Sequence, residues 1–238
     1  MKISHSYQPV IVLIPAKNEE ATVGQVIAEI KKFFQGTIVV IDDASTDDTI
    51  QVAQTAGAIV LPLAFSLGAW GAIQTGMRYA LKHGFNTAIT MDADGQHEAE
   101  AIAELLIPLI TDKSDMVIGA CPQRGSIARQ IAWAIFRNLS GMTLRDLTSG
   151  LRAYNRPAIK VLTARTATLL DYQDVGVLIL LRKAGLRIQE VPTQMNLRSN
   201  GHSRIFSTWW AVGRYMINTA ILCLAQTKNR KKIKCHIN

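Results

Sequence analysis

Cysteine is scarce in this chain of 238 residues. The three cysteines, Cys121, Cys223 and Cys235, are odd in number and scattered, and no two of them form a C-x-x-C pair. This argues against a disulfide framework and against a structural zinc site. The N-terminus also lacks an apolar core that ends at a cleavage-like site, so a secretory signal is not expected. Both absences favour a protein of the reducing cytoplasm.

Two glycine-rich phosphate-binding motifs are also missing. After the first apolar run the chain reads PAKNEE at 15–20, where a dinucleotide-binding fold would carry G-x-G-x-x-G. A G-x-x-x-x-G-K-[ST] segment is absent as well. Because these glycines let the backbone wrap closely around phosphate, their absence disfavours ordinary dinucleotide binding and P-loop chemistry.

Short apolar runs alternate with helical patterns through the first 120 residues. The runs lie at 10–14, 37–41, 58–61, 87–91 and 116–119, and apolar residues at helical spacing lie between them. This alternation predicts an α/β fold with a doubly wound, mainly parallel sheet. The less regular second half predicts helices at 127–139 and 175–183 and strands at 148–154 and 187–191.

The fourth apolar run ends in a D-x-D motif, Asp92-Ala93-Asp94. Ligands of doubly wound sheets bind at the carboxyl ends of strands. Two carboxylates that share one side of an extended chain can hold one Mg²⁺, which completes its shell with water and substrate phosphates. The alternative is an ordinary acidic turn, but the Gly95-Gln96-His97 continuation makes the metal interpretation more specific. His97 is interpreted as an orienting residue or a loop histidine, and not as a metal ligand.

The second apolar run also ends in carboxylates, at Asp42 and Asp43. Such a group can accept a hydrogen bond from a nucleobase N–H or a ribose hydroxyl. The alternative role, a helix N-cap, suits Asp47 and Asp48 better. We therefore predict that the two earlier acids face a ligand and that the two later ones cap a helix.

Five segments in this order resemble family 2 glycosyltransferases, in the branch that transfers sugars to polyprenyl phosphates. They are IPAKNEEATV, VVIDDASTDDT, LGAWGAIQTGMRYAL, MDADGQH and DLTSGLRAYNR, and the resemblance runs from about Val10 to Ile205. It implies a GT-A type fold over 1–206 and a nucleotide-sugar donor linked to UDP or GDP. It also implies that Pro15, Lys17, Glu19, Asp42, Asp43 and Asp92 bind the donor, and that Asp92, Asp94 and Gln96 surround Mg²⁺ or Mn²⁺.

The resemblance further implies an acceptor side that binds a lipid phosphate. Arg124 and Arg129 would bind this phosphate, because a guanidinium offers it a planar fork of donors; a solvated basic face is the alternative. Ser149 and Arg152, in the TSGLR segment, would lie near the same acceptor. The R-x-x-G-x-S-R loop would approach the donor diphosphate through Arg198, Ser203 and Arg204.

One departure from the family pattern concerns the catalytic base. Gly176 stands where the family usually carries an acidic residue, with Asp174 two positions earlier. A sugar hydroxyl acceptor needs a base, whereas a phosphate monoester, with a second pKa of about 6, does not. We therefore predict an inverting transfer to a polyprenyl phosphate, with Asp94, Arg198 and Asp174 as catalytic residues. A transferase to a sugar hydroxyl and a non-catalytic membrane-associated partner remain the alternatives.

The chain carries a net charge of +8, and five basic residues crowd its last eleven positions. The segment 207–238 is predicted to be an amphipathic helix with a basic tail that binds an anionic membrane surface, peripherally and on the cytoplasmic face. A helix packed on the domain is the alternative. Acidic strand ends and the lack of aromatic-basic interleaving argue against nucleic acid as the partner. The oligomeric state stays open.

Overall fold

The structure, a computed structural model, describes residues 9–124, 127–170 and 174–196, with the backbone alone at residues 124, 127–129, 131–132 and 139–140. The strands are β1 (Val10–Ala16), β2 (Thr37–Asp42), β3 (Ile59–Pro62), β4 (Thr87–Thr90), β5 (Met116–Ala120), β6 (Arg152–Asn155) and β7 (Ile188–Pro192). The helices are α1 (Val23–Phe33), α2 (Thr49–Thr55), α3 (Gly68–Lys82), α4 (Ala101–Ile110), α5 (Ile127–Ser140), α6 (Arg156–Leu162), α7 (Arg165–Thr168) and α8 (Val175–Lys183), with a 3-10 turn at Pro122–Arg124.

The seven strands form one sheet in the order β3-β2-β1-β4-β6-β5-β7. All neighbours are parallel except β6, which runs antiparallel to both β4 and β5. The predicted α/β fold with a mainly parallel sheet is confirmed. The strand expected at 148–154 is shorter and begins only at Arg152.

The central strand β1 shows why the apolar runs are continuous. Ile11 and Leu13 pack on the face that is covered by α3, α6 and α8. Val12 and Ile14 pack on the opposite face, beside residues of α1 and α4. All four side chains are fully buried. A strand with a helical layer on each face has no polar side, which is typical of parallel sheets.

The carboxyl ends of β1, β2 and β4 meet at one edge of the sheet. Ala16 pairs with Asp42, and the Asp43 amide donates to the Ala16 carbonyl over 2.8 Å. The Met91 amide donates to Leu13 on the other side of β1 over 3.1 Å. The loops that follow these three strands therefore gather around a single edge, which is where the acidic residues lie. Within the described residues, no helix is long and apolar enough to cross a membrane.

An ion-paired cluster lies at the opposite end of the strands from the acidic residues. It joins the start of β5, the end of β6 and the start of β7. Asp115 Oδ2 accepts from the backbone N–H of Arg187 at 2.8 Å and from its Nε at 3.0 Å, and Asp115 Oδ1 accepts from Asn155 Nδ2 at 2.8 Å. The hydrogen bond from the Arg187 guanidinium is the main reason that the pKa of Asp115 falls to about 2, against a smaller opposing effect of burial. The hydrogen bonds of the Arg187 guanidinium to Asp115 and to Asp112 raise the pKa of Arg187 above its ordinary value.

This cluster makes the stability of the fold depend on pH. Because the pKa of Asp115 is lower in the folded than in the unfolded chain, its contribution is complete above about pH 5 and is lost as the pH falls through about 2. The loss is expected to be at most about 2 kcal/mol, since Arg187 is half exposed and solvent screens the pair. The free energy of unfolding in urea, measured at pH 7 and at pH 3, should fall less in Asp115→Asn than in the wild type. An equal fall in the two proteins would contradict the prediction.

Candidate functional site

Two loops, one after β1 and one after β2, are locked together at the acidic edge. The Asn18 amide donates to Ser45 Oγ at 2.9 Å, and Asn18 Oδ1 accepts from the Thr46 amide at 2.8 Å. The Glu19 amide donates to Thr49 Oγ1 at 2.8 Å. Asn18 and Ala44 both adopt positive φ, which is uncommon for residues other than glycine. The two loops thus form a rigid platform beside the end of β2.

Asp42 is the most buried acidic side chain on this platform. Its residue exposure is 1%, and its Oδ2 accepts from the Ser45 amide at 3.1 Å. Its Oδ1 is buried and has no hydrogen-bond partner among the described residues. A buried polar atom without a partner costs about 1–3 kcal/mol, so such atoms are rare and call for an explanation. An N–H donor from a ligand at this edge would remove that cost.

Asp43 has a different task from its neighbour. Its Oδ1 accepts from the Leu67 amide at 2.6 Å, and its Oδ2 accepts from Ser66 Oγ at 2.6 Å and from the Gly68 amide at 3.1 Å. The carboxylate therefore anchors the loop that leads into α3. Lys17 Nζ donates to the same Ser66 Oγ at 2.9 Å. The expectation that both earlier acids face a ligand fits Asp42 better than Asp43, whose two oxygens are already bound.

Asp92 and Asp94 lie in the turn that follows β4. The chain turns at Ala93–Asp94 and reaches Gly95 with a φ of 74°, so it is not extended there. The alternation expected of an extended D-x-D segment therefore does not apply. Asp94 Oδ1 accepts from the Gln96 amide at 3.1 Å, and its side chain is partly exposed. The Asp92 side chain is 45% exposed, so both carboxylates reach solvent at the edge shared with Asp42.

The Asp92 carboxylate lies close to both His97 and Gly150. His97 Nε2 lies 3.3 Å from Asp92 Oδ2. A Cβ added to Gly150 would lie 2.6 Å from Asp92 Cγ and closer still to its oxygens. Thr90 Oγ1 supports this approach by donating to the Gly150 carbonyl at 2.8 Å. Any side chain at position 150 would therefore require the carboxylate to move.

The residues at this edge suit a hard divalent cation. Within the described residues, no group of three or more His, Cys, Asp or Glu side chains forms a ready cage for a metal. Mg²⁺ does not require one, because it typically takes one or two carboxylates and completes its shell with water and substrate phosphates. The partly exposed Asp92 and Asp94 provide that donor set. Gln96 is the third predicted ligand. Its backbone carbonyl accepts a hydrogen bond from the Asn196 amide, in the segment after β7, at 2.8 Å.

Ser149 and Arg152, which are predicted to lie near the acceptor phosphate, are fully buried. Arg152 Nε donates to the Ser149 carbonyl at 2.7 Å, and its Nη2 donates to the Leu147 carbonyl at 2.8 Å. Ser149 Oγ accepts from the Leu151 amide at 3.3 Å. The Arg152 Nη1 is buried and has no hydrogen-bond partner among the described residues. The two hydrogen bonds of the guanidinium support the loop that carries Gly150, and a place near the acceptor stays a prediction for both residues.

Asp174 and Gly176 begin α8. Asp174 is the N-cap of the helix, and its carboxylate accepts from the Gly176 amide at 3.4 Å. Gly176 is buried, and a Cβ there would lie 2.7 Å from Leu170 Cδ2. A side chain at position 176 would therefore require the end of Leu170 to shift. In the present packing the Leu170 side chain occupies the space beside the glycine.

Sequence reasoning missed a cationic cleft of about 550 Å³ beside the 3-10 turn. It is lined by Pro122, Gln123, Gln130, Trp133, Arg137, Thr143 and Arg145. Glu190 anchors the loop that carries Arg145, because its carboxylate accepts from the amides of Arg145 and Asp146, each at 2.7 Å. The cleft joins α5 to the loop before β6, so no single sequence segment could reveal it.

Of the remaining predicted residues, two are described in full, two by their backbone alone and three not at all. Pro15 and Glu19 lie at the acidic edge, the former at the end of β1 and the latter in the loop after it. Arg124 lies in the 3-10 turn and Arg129 in α5, each with its backbone alone described. Arg198, Ser203 and Arg204 lie outside the described residues, as does the predicted helix and tail of 207–238.

This sheet order, with its acidic edge, defines a GT-A type sugar-transferase fold. A structure of glucosyl-3-phosphoglycerate synthase from Mycobacterium tuberculosis, in complex with Mn²⁺, uridine diphosphate and glucosyl-3-phosphoglycerate, matches 92% of this chain and 81% of its own with a TM-score of 0.70 and 22% identity. Residues 11–168 match the model of glycosyl transferase family 2, and the chain belongs to that family.

Two curated relatives indicate the branch of the family. One is a UDP-N-acetylglucosamine–dolichyl-phosphate N-acetylglucosaminyltransferase from Methanococcus voltae, 28% identical over 77% of this chain and 84% of its own length. The other is an undecaprenyl-phosphate mannosyltransferase from Micrococcus luteus, 29% identical over 88% of this chain and 91% of its own length. The chain is thus similar to transferases that are named for polyprenyl-phosphate acceptors.

Proposed function

We propose that this protein is a metal-dependent, inverting glycosyltransferase that moves a hexose from a UDP- or GDP-sugar to a polyprenyl phosphate. The observation that carries the proposal is the acidic edge itself. There the buried, unmatched Asp42 Oδ1 lies at the end of β2, and the two partly exposed carboxylates of Asp92 and Asp94 follow β4, on the other side of β1. One edge therefore offers an acceptor for a base N–H and a donor set for a cation that binds a diphosphate.

The acceptor class follows from the chemistry of the site and the names of the relatives. An ionised phosphate oxygen can attack the anomeric carbon without losing a proton, so no catalytic base is required. The glycine at position 176, in place of the acid that the family usually carries, agrees with such an acceptor. Arg124 and Arg129 are proposed to orient its phosphate, next to the cleft that also holds Arg137 and Arg145. We propose Arg198, Ser203 and Arg204 as contacts of the donor diphosphate.

The reaction is a single displacement. The acceptor phosphate oxygen forms a bond to the anomeric carbon while the bond to the nucleoside diphosphate breaks, and the diphosphate leaves with the electron pair. A bound Mg²⁺ or Mn²⁺ would neutralise the charge on that leaving group. Asp92 and Asp94 would hold the cation, and Asp42 would fix the nucleoside, with Pro15, Lys17 and Glu19 beside it. The remaining work of the chain is orientation of the two reactants.

A lipid-linked acceptor requires access to a membrane. We propose that residues 207–238 bind the anionic surface of the inner leaflet as a peripheral helix with a basic tail, on the cytoplasmic side. The amino-acid pattern supports this: apolar residues recur at helical spacing from Trp209 to Cys223 and are followed by five basic residues. Removal of residues after Ser207 should abolish flotation with anionic vesicles. Unchanged flotation would contradict the proposed anchor.

The proposal is tested by donor binding and then by transfer. UDP-sugars and GDP-sugars, each with and without Mn²⁺, should divide into one class that raises the melting temperature and one that does not. The stabilising donor is then supplied with a polyprenyl phosphate or with the corresponding polyprenol. Transfer to the phosphate alone supports the proposal. Transfer to a hydroxyl acceptor, or no turnover of any donor, would reject it.

Asp42→Asn is expected to weaken binding of the nucleoside diphosphate by about 5–150-fold. Two donors, the Ser45 amide and the base N–H, would require two acceptor oxygens, and asparagine offers only one. One donor would then face an NH₂ group, at a cost of about 1–3 kcal/mol. Isothermal titration with Mn²⁺ and the nucleoside diphosphate measures the change. Asp48→Asn is the control, because that side chain is exposed and makes no cap hydrogen bond; equal affinities in both variants would exclude Asp42 from the base pocket.

A further inference from the structure

His97 is a buried side chain that the proposed reaction leaves without a task. Only 1% of its side chain is exposed, and its Nε2 lies 3.3 Å from Asp92 Oδ2. Its second nitrogen, Nδ1, is also buried and has no hydrogen-bond partner among the described residues. A packing role alone would favour an apolar ring at this place, because the unmatched nitrogen costs free energy. The fold therefore retains an imidazole for the contact with Asp92.

The direction of the hydrogen bond follows from these surroundings. A neutral imidazole carries its proton on one nitrogen and a lone pair on the other. The Asp92 carboxylate can only accept a proton, so the tautomer that matches it has the hydrogen on Nε2. His97 then donates to Asp92 Oδ2, and Nδ1 keeps an unmatched lone pair. The buried imidazole thus forms a hydrogen bond with one oxygen of the carboxylate, Asp92 Oδ2.

The backbone around His97 is held by one short β-bridge. His97 forms an isolated antiparallel bridge with Met195, and the hydrogen bond from the Asn196 amide to the Gln96 carbonyl, at 2.8 Å, is part of it. The imidazole is consequently presented by a segment that is paired with the residues after β7. The Gly150 backbone also approaches the Asp92 carboxylate closely. Asp92 therefore contacts an imidazole and a backbone segment that the fold holds in place.

We propose that His97 is a positioning residue for Asp92: its Nε2–H holds the carboxylate in the orientation that binds the divalent cation. This rests on the proposed function, because it assumes that Asp92 is a cation ligand. Partners that orient a ligating carboxylate typically matter by 10–100-fold in metal affinity. His97 itself does not touch the cation or the reacting atoms.

The test measures cation binding without turnover. Mn²⁺ binding to the full chain is followed by electron paramagnetic resonance in the presence of the nucleoside diphosphate and without any acceptor. His97→Phe, which keeps a ring but loses the donor, should raise the dissociation constant of Mn²⁺ by about 10–100-fold. Its melting temperature without Mn²⁺ should not fall, since the unmatched Nδ1 is removed. His97→Gln, whose amide can place an N–H near the position of Nε2, should restore binding to within a few-fold of wild type.

The control is His83→Phe, a histidine that is exposed and stacks against Tyr79 with ring centroids 4.0 Å apart. It should leave the dissociation constant unchanged. If His97→Phe binds Mn²⁺ as well as wild type, the positioning role is excluded while the proposed function stands. Equal losses in His97→Phe and His97→Gln would exclude the N–H donor as the cause. If the wild type itself binds no Mn²⁺ with either nucleoside diphosphate, the metal assignment and the role of His97 are overturned together.

Discussion

Asp92→Asn is expected to lower sugar transfer by about 10²–10³-fold at saturating donor, and Asp94→Asn by a similar factor. Removal of one preorganised group that stabilises developing charge typically costs this much. The substitution keeps the shape of the side chain but removes a negative charge from a donor set that contains only two predicted carboxylates. A hard cation binds carboxylate far better than amide, so the leaving diphosphate would lose its neutralising charge.

The measurement is the initial rate of transfer at several Mn²⁺ concentrations. A rate that recovers as Mn²⁺ is raised shows that the variant binds the cation more weakly. Asp112→Asn is the control, since that side chain is 88% exposed and precedes β5 at the opposite edge of the sheet. Its rate should match that of the wild type. If Asp92→Asn and Asp94→Asn both transfer sugar at the wild-type rate and both still require the metal, the cation is not bound at this edge.

The strands and their acidic ends could be predicted from local patterns alone. A strand buried on both faces must be apolar at each position, so the runs at 10–14 and 37–41 identify β1 and β2 without knowledge of their partners. Parallel strands linked by helices end at the same edge, which brings Asp42 and Asp92 together. The structure confirms this sheet, and the edge is where the candidate site lies.

The division of labour within the site could not be predicted, because it depends on contacts between distant segments. Asp42 and Asp43 are adjacent in sequence, but only Asp43 meets the loop before α3, whose position is set by tertiary packing. Arg152 reads as a phosphate ligand within its motif, yet β6 inserts between β4 and β5 and buries it. An antiparallel strand in a mainly parallel sheet carries no local signal of its partners.

The role of the glycine in the T-S-G segment likewise appears only in three dimensions. Gly150 is 58 positions from Asp92 in sequence, yet its backbone forms one wall around the carboxylate because β6 pairs with β4. The register places Arg152 opposite Thr90, and the Thr90 hydroxyl then binds the Gly150 carbonyl. The sheet itself thus sets the distance between this glycine and the proposed cation ligand.

Gly150→Ala is accordingly expected to reduce transfer by about 10²-fold, through a displaced Asp92. The new Cβ would lie 2.6 Å from Asp92 Cγ, well inside van der Waals contact, and the Thr90 hydrogen bond restrains the backbone from moving away. The carboxylate must therefore leave the orientation in which it contacts His97 and would bind the cation. Deleting a group that stabilises charge in the transition state costs about 10²–10³-fold in rate. Displacing the same group should cost a large part of that.

The variant should stay folded, because Asp92 is partly exposed and can turn toward solvent. The matched control is Gly24→Ala in α1, where the added Cβ would meet Val52 Cγ1 at 3.0 Å and no atom of Asp92. Both variants add one methyl group under a tight contact, but only Gly150→Ala should weaken Mn²⁺ binding and slow transfer. Nucleoside binding at Asp42 without Mn²⁺ should be equal in the two. A Gly150→Ala protein with wild-type Mn²⁺ affinity and wild-type rate would show that the position of Asp92 does not limit the reaction.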